Sequence, residues 1–214
     1  MIRQLASALA VSLACLATNT LAAPVNGGFE SGLSGWATIG DASATATNVN
    51  AGTGAALITS GTNADVSTFS GTAIAGTGGG GISQSFSLGS SATLSFAWDF
   101  QTSESTPSSF NDAAYVVIDG TAFLLADTGS ALLVGTAGDG FSEKTGYQTF
   151  SINLGAGNHT LAFVVTDFLD TVLDSGLFVD SISTNSTEVP EPGSLALLGL
   201  GLVGLAGMRK RAQR

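Results

Sequence analysis

Positive charge is nearly missing from this sequence: six of 214 residues are lysine or arginine, with one histidine. Five of the six, Arg3, Arg209, Lys210, Arg211 and Arg214, lie at the two ends, which leaves Lys144 alone in between. The whole chain carries −10; without those five cations and Glu191, residues 23–188 carry −14. Such a surface has nothing with which to neutralise phosphates and release their counterions, so nucleic acid is excluded as a partner. Neutral sugars and divalent cations remain compatible. Cysteine is scarce too. The single Cys15 falls inside an apolar amino-terminal run, so the body of the chain has neither disulfides nor thiol chemistry nor cysteine metal sites. One histidine, His159, cannot build a zinc site, and a Ser-His-Asp triad that used it would lack a Gly-x-Ser-x-Gly elbow. No internal window carries a helical period.

The ends explain where the cations went. Met1-Ile2-Arg3 followed by apolar residues 5–16 and small residues up to Ala23 has the layout of a signal peptide, with cleavage expected after Ala22 because a later cut would put Pro24 beside the scissile bond. At the other end Pro190 and Pro192 flank Glu191, which bars helix and favours an extended, protease-accessible segment. Residues 194–208 follow without a charge, and as a helix they reach only about 22 Å against a hydrocarbon core of about 30 Å. Arg209, Lys210 and Arg211 then anchor the span on its cytoplasmic side. Within the span, Gly199, Gly201 and Gly204 match a dinucleotide-binding spacing, but no strand precedes them.

Val189, Pro190, Glu191 and Pro192, the apolar span and the basic cluster from Arg209 together resemble the PEP-CTERM sorting signal. The resemblance covers residues 189–214. It implies a tail recognised and cut by an inner-membrane exosortase in a Gram-negative, exopolysaccharide-producing cell, after export through the Sec machinery and a transient stay in the inner membrane.

Residues 23–188 suffice for one domain with a core, and their pattern is that of strands. Ile82, Gln84, Phe86 and Leu88 alternate with serines, and Leu94, Phe96, Trp98 and Phe100 alternate with smaller or polar residues, the period of half-buried strands. Residues 42–47, 55–59 and 176–183 are further strand candidates. Asp119-Gly120 between two apolar runs predicts a type I′ hairpin, and residues 148–154 and 159–166 predict a second one around a turn at 155–158. Phe29, Leu33 and Trp36 predict a short opening strand and turn, with Trp36 and Trp98 in the core. Five glycines in residues 76–81 predict a flexible loop, so that Gly120 should be the less replaceable position. The sum is an all-β antiparallel sandwich of about eight strands or more.

Asn26-Gly27-Gly28-Phe29-Glu30, Gly35-Trp36 and the closing Asp180-Ser181-Ile182 resemble the two ends of galactose-binding-like jelly rolls, carbohydrate-binding modules among them. That resemblance implies that first and last strands meet and that Glu30 and Asp180 help hold a structural calcium. Asp167, Asp170, Asp174 and Asp180 form a separate acidic run with no EF-hand spacing. No catalytic or ligand-contacting residue is assigned. The expected role is non-enzymatic: a cell-surface or extracellular matrix protein associated with exopolysaccharide or biofilm. A carbohydrate-binding module acting alone is the alternative, and a glycoside hydrolase, marked by a buried carboxylate pair in a cleft, is third.

Overall fold

The structure is a computed structural model that describes residues 23–76, 78–104, 109–169 and 172–186; the expected signal peptide, the sorting tail and Asp170 lie outside them. The strands are β1 Ala37–Ile39, β2 Asp41–Thr45, β3 Ala55–Thr59, β4 Gly78–Leu88, β5 Ala92–Thr102, β6 Ala113–Ile118, β7 Thr121–Asp127, β8 Gly135–Thr136, β9 Glu143–Lys144, β10 Gln148–Leu154, β11 Gly157–Asp167 and β12 Ser175–Ser186. They form two antiparallel sheets face to face. One has the order β1-β4-β11-β6-β7; the other runs β2-β3-β12-β5-β9-β8, with β10 also on β5. This is the expected all-β sandwich.

Alternation assigns the faces. Ile82 and Phe86 of β4 and Leu161, Phe163 and Val165 of β11 point inward from the first sheet, while Leu94, Phe96, Trp98 and Phe100 of β5 and Leu177 and Val179 of β12 point inward from the second. Phe96 meets Phe163 edge-on across the interface, centroids 4.8 Å apart at 88°, and Trp36 leans on Phe163 at 6.2 Å. Both tryptophans are buried, as their strand patterns predict. Burying each such ring contributes about 1.5–3 kcal/mol. Gln84, the one polar member of the inward row on β4, accepts from Val25 N at 2.7 Å and donates to Gly35 O at 2.8 Å, which fixes the opening segment to the sheet.

The β6–β7 hairpin forms as predicted, with Asp119 at φ 51° and Gly120 at φ 76°. Four other expectations are corrected. Residues 25–35 are successive turns rather than a strand. Residues 148–154 and 157–167 are both strands, but β10 pairs with β5 and β11 with β4 and β6, so the chain changes sheet at residues 155–156 instead of making a hairpin. A short helix, α1 Val66–Ser70, forms between β3 and β4. Asp65 caps it by accepting from Ser67 N and Thr68 N, both at 3.1 Å, and Gly71 closes it in the left-handed region.

The fourth correction concerns the glycine run. Residues 78–81 are not a loop; they are the buried start of β4. A Cβ on Gly79 would fall 1.8 Å from Val165 O, and one on Gly80 2.6 Å from Asp41 O and 2.7 Å from Thr59 O. One on Gly81 would lie 3.1 Å from the Phe69 ring. At these glycines the backbones of β11 and of the β2–β3 corner close on β4 and the Phe69 ring of α1 packs beside it, which a side chain forbids. Gly120 has open space around it. Gly79→Ala is therefore expected to destabilise by about 3 kcal/mol or more, a fall in Tm of about 6 °C or more, against about 1–2 kcal/mol for Gly120→Ala. Equal shifts in melting curves would refute this ordering.

Candidate functional site

Glu30 and Asp180 do come together, on either side of the loop that joins β2 to β3. Asp180 on β12 is fully buried; its Oδ2 accepts from Asn50 N at 2.9 Å and Ala51 N at 2.8 Å, and its Oδ1 from Ser181 N at 2.5 Å. Exposed Glu30 accepts from Thr53 N at 2.9 Å and from the Thr53 hydroxyl, and those donors hold its carboxyl below the usual range. A Cβ on Gly28 would stand 4.0 Å from both Asp180 Oδ1 and Glu30 Cγ. Of about four acceptor positions per carboxylate, Asp180 uses three and Glu30 two. The pair can offer a cation only a few oxygens. Among the described residues no three His, Cys, Asp or Glu side chains gather as a metal cluster, so backbone carbonyls and water would have to supply the rest. Asp174 flanks Gly61 at the start of β12, and six positions of strand, about 20 Å, separate it from Asp180. Asp167 ends β11, so the described members of the acidic run do not share one strand.

Two buried polar centres had no forecast. Asp99, on the outer face of β5, accepts from Asn48 Nδ2 at 2.7 Å, Gln101 Nε2 at 3.0 Å and Thr145 Oγ1 at 3.0 Å. Beside it Tyr147 donates to Asn48 O at 2.6 Å; burial first, then the charges of Asp180, Asp99 and Asp139, push its hydroxyl pKa far up. The second centre is Asp112, which accepts from Ser60 Oγ at 3.0 Å and Phe168 N at 3.1 Å. Burial raises its carboxyl above the usual range, against these donors and Ser175, and Glu104 adds to the rise. Asp112 and Glu104 are a buried acidic pair, yet neither lines the grooves described next.

The outer face of the five-stranded sheet carries a groove of about 400 Å³. Ser83 and Ser85 of β4, Thr160 and Ala162 of β11 and Val117 of β6 form its floor, and Phe69 of α1 stands as a wall. A second depression of about 350 Å³ continues it past Ser85 and Thr160 to Ser87 and Asn158, whose side chains bond at 2.6 Å. No Asp, Glu, Lys or Arg lines either one, and His159 lines the second. The serines were visible in the sequence as the solvent-facing half of β4; Phe69 was not, because only the capped helix and the side-chain-free Gly81 place it there.

At the groove's end, beside Gly120, the Asp119 carboxylate meets His159 Nδ1 at 2.8 Å and accepts from Thr160 N at 2.8 Å, while His159 Nε2 lies 3.0 Å from Gly155 O. Burial works against charge on both partners, but the hydrogen bonds between them win: His159 is raised from 6.5 and Asp119 lowered from 3.8.

Among known proteins, the model described as the PEP-CTERM protein-sorting motif matches residues 188–211. The chain carries a PEP-CTERM sorting signal. PEP-CTERM tails mark exported proteins with a carboxy-terminal membrane-anchoring sorting segment, and Pro190, Glu191, Pro192, Arg209, Lys210 and Arg211 all lie inside the matched stretch. No curated protein sequence matches this PEP-CTERM chain. Solved structures similar to it include a family 16 carbohydrate-binding module (17% identity, 76% of this chain and 99% of that one, TM-score 0.40) and TmCBM61 in complex with beta-1,4-galactotriose (15%, 77% and 98%, 0.42). A cleaved adhesin domain of Lys-gingipain from Porphyromonas gingivalis is also similar (19%, 78% and 99%, 0.43).

The Asp119–His159 pair should make stability depend on pH. A raised histidine contributes fully below its unfolded value of 6.5 and loses its contribution as pH climbs through the folded pKa; a depressed aspartate contributes above 3.8 and loses its share as pH falls through the folded pKa. The pair is thus strongest between about pH 4 and 6.5. The Tm difference between wild type and His159→Gln should shrink from pH 5.5 to pH 8.5, and a constant difference would mean the pair is not ionised.

Proposed function

We propose that this is an exported, non-enzymatic cell-surface protein, cut by an exosortase within its tail and retained by exopolysaccharide seated in the groove over the five-stranded sheet. The observation that carries this reading is the groove's lining: hydroxyls of Ser83, Ser85 and Thr160 beside the Phe69 ring, with no charge. Hydroxyls can exchange water for the hydroxyls of a sugar, and a ring offers an apolar face for its C–H groups. A surface as acidic as this one discriminates against polyanions, which leaves neutral glycans. One aromatic wall makes each contact weak, so retention depends on many copies on one polymer. The same groove serves the alternative reading, a carbohydrate-binding module acting alone without a place in a matrix. Calcium, in this proposal, is structural: it bridges Glu30 and Asp180 and ties the opening segment to the last strand.

Intact mass of the protein recovered from the cell exterior is expected to lack residues 194–214; a complete carboxy terminus there would overturn the sorting role. The exported protein should bind neutral polysaccharides on a glycan array, and Ser85→Lys and Phe69→Ala should each weaken binding about tenfold or more, a loss of about 1.4 kcal/mol. Undiminished binding by both variants would remove the groove from the function. Chelator should lower Tm by several degrees in wild type and not in Glu30→Gln, Asp180→Asn, since a ligand of the folded state stabilises it by mass action; superimposable wild-type curves would end the calcium proposal.

A further inference from the structure

The edge strands of the two sheets, β1 and β7 in one and β2, the two-residue β8 and β10 in the other, are not equally protected. β1 is three residues long, and β2 is five and begins with Asp41. β7 ends in Asp127 and faces a register irregularity against β6 between Ala114 and Tyr115. β10 is different. Over seven residues, Gln-Thr-Phe-Ser-Ile-Asn-Leu, it carries no charge, no proline and no glycine, and it pairs with β5 without a register shift. Among the described residues β5 is its one strand partner. Edge strands are ordinarily blunted by charge, proline, bulges or brevity, because their free N–H and C=O groups are a template for another strand. β10 has none of these defences, in a sandwich with fourteen net negative charges to draw on.

The side chains on this flank are also left half covered. Phe150 and Ile152 of β10, Phe123 of β7 and Leu133 pack against the core while remaining partly exposed, and Phe123 and Phe150 touch across the open side of the sandwich at 5.6 Å. A strand laid along β10 would cover them.

We infer that β10 is a self-association edge, on which β10 of a second copy of this chain adds as an antiparallel strand. The choice of occupant follows from the sequence of the strand. A two-fold axis at Ser151 sets Thr149 against Asn153 and Ser151 against Ser151 on the outer face, and Phe150 against Ile152 on the core-facing side. These are small hydrogen-bonding pairs on one face and apolar pairs on the other, the combinations that stabilise cross-strand neighbours. Asn153 already makes this type of pair within the chain, accepting from Thr93 Oγ1 at 2.7 Å. A charge-free strand suits a partner strand without charge, and the strand itself supplies one. Two-fold pairing closes on itself and yields dimers rather than filaments. One strand pair buries less than about 1,000 Å², so the contact is weak in dilute solution and gains where many copies share a surface. The inference does not depend on the groove, which lies on a different part of the sandwich.

The test is sedimentation of the exported protein from about 10 μM to about 1 mM, with amide hydrogen exchange at both limits. The dimer fraction should rise with concentration and with added salt, which screens the repulsion between two acidic copies. Amides of residues 149–153 that point away from β5 should exchange about tenfold more slowly at the upper limit, the protection expected of a strand sequestered in a dimer. Ser151→Lys, which sets two like charges together on the axis, should stay monomeric with an unchanged melting curve and unchanged glycan binding. Thr38→Lys on β1 should dimerise as wild type does. A wild-type protein monomeric throughout, a dimer whose β10 amides exchange at the monomer's rate, or a Ser151→Lys variant that still dimerises would each overturn the inference.

Discussion

The approach of backbone to backbone at the start of β4 is the constraint on which the rest of the sandwich depends. At Gly79 and Gly80 the first sheet lies against carbonyls of Val165, Asp41 and Thr59, so a β11 neighbour and the β2–β3 corner of the other sheet are brought to one place. Glycine normally weakens a strand. Here the lost side-chain packing is the condition for closing one corner of the sandwich, and Gly81 leaves the space that the Phe69 ring occupies. The groove wall stands where Gly81 leaves β4 without a side chain.

A second constraint is the shortage of cations. Asp99, Asp112 and Asp180 are fully buried, and N–H and O–H groups hydrogen-bond to all three: Asn48, Gln101 and Thr145 to Asp99, Ser60 and Phe168 to Asp112, Asn50, Ala51 and Ser181 to Asp180. A buried carboxylate without a counterion needs such donors to offset its desolvation. Loops rather than strands provide most of them. The β2–β3 loop in particular is pinned by Asp99 through Asn48, by Asp180 through Asn50 and Ala51, and by Glu30 through Thr53. Acidity that serves solubility on the surface becomes, inside, the means of ordering irregular chain.

Strands with one apolar face were legible because period two survives in the residues themselves, as in β4 and β5, and the β6–β7 turn because Asp119-Gly120 satisfies two positive φ angles locally. The glycine run was misread because an absent side chain gives no sign of what approaches it. The β10–β11 junction was misread for a related reason: Gly155, Ala156 and Gly157 have turn chemistry, but whether the chain turns back beside itself or crosses to the other sheet is decided by β5 and β4, more than fifty residues away. Glu30 and Asp180 were found through a resemblance at the two ends of the domain, whereas Asp99 and Phe69 belong to no motif. The helix had a local sign, Asp65 three residues before Thr68, too short to outweigh the surrounding polar sequence.

The position of β12 links folding to transport. It is the last strand among the described residues, yet it lies inside its sheet between β3 and β5, pairing with residues more than seventy positions earlier. A chain threaded across a membrane with its amino terminus leading delivers β3 and β5 long before the strand that joins them. The sheet stays open until residue 186 has emerged, and the sorting motif begins two residues later at 188. Such long-range pairing is slow in itself, because distant ends must be brought together before any contact rewards the closure. Completion of the fold and arrival of the sorting signal at the membrane are therefore nearly simultaneous, and a protein released from its tail has already passed the point at which its sandwich can close.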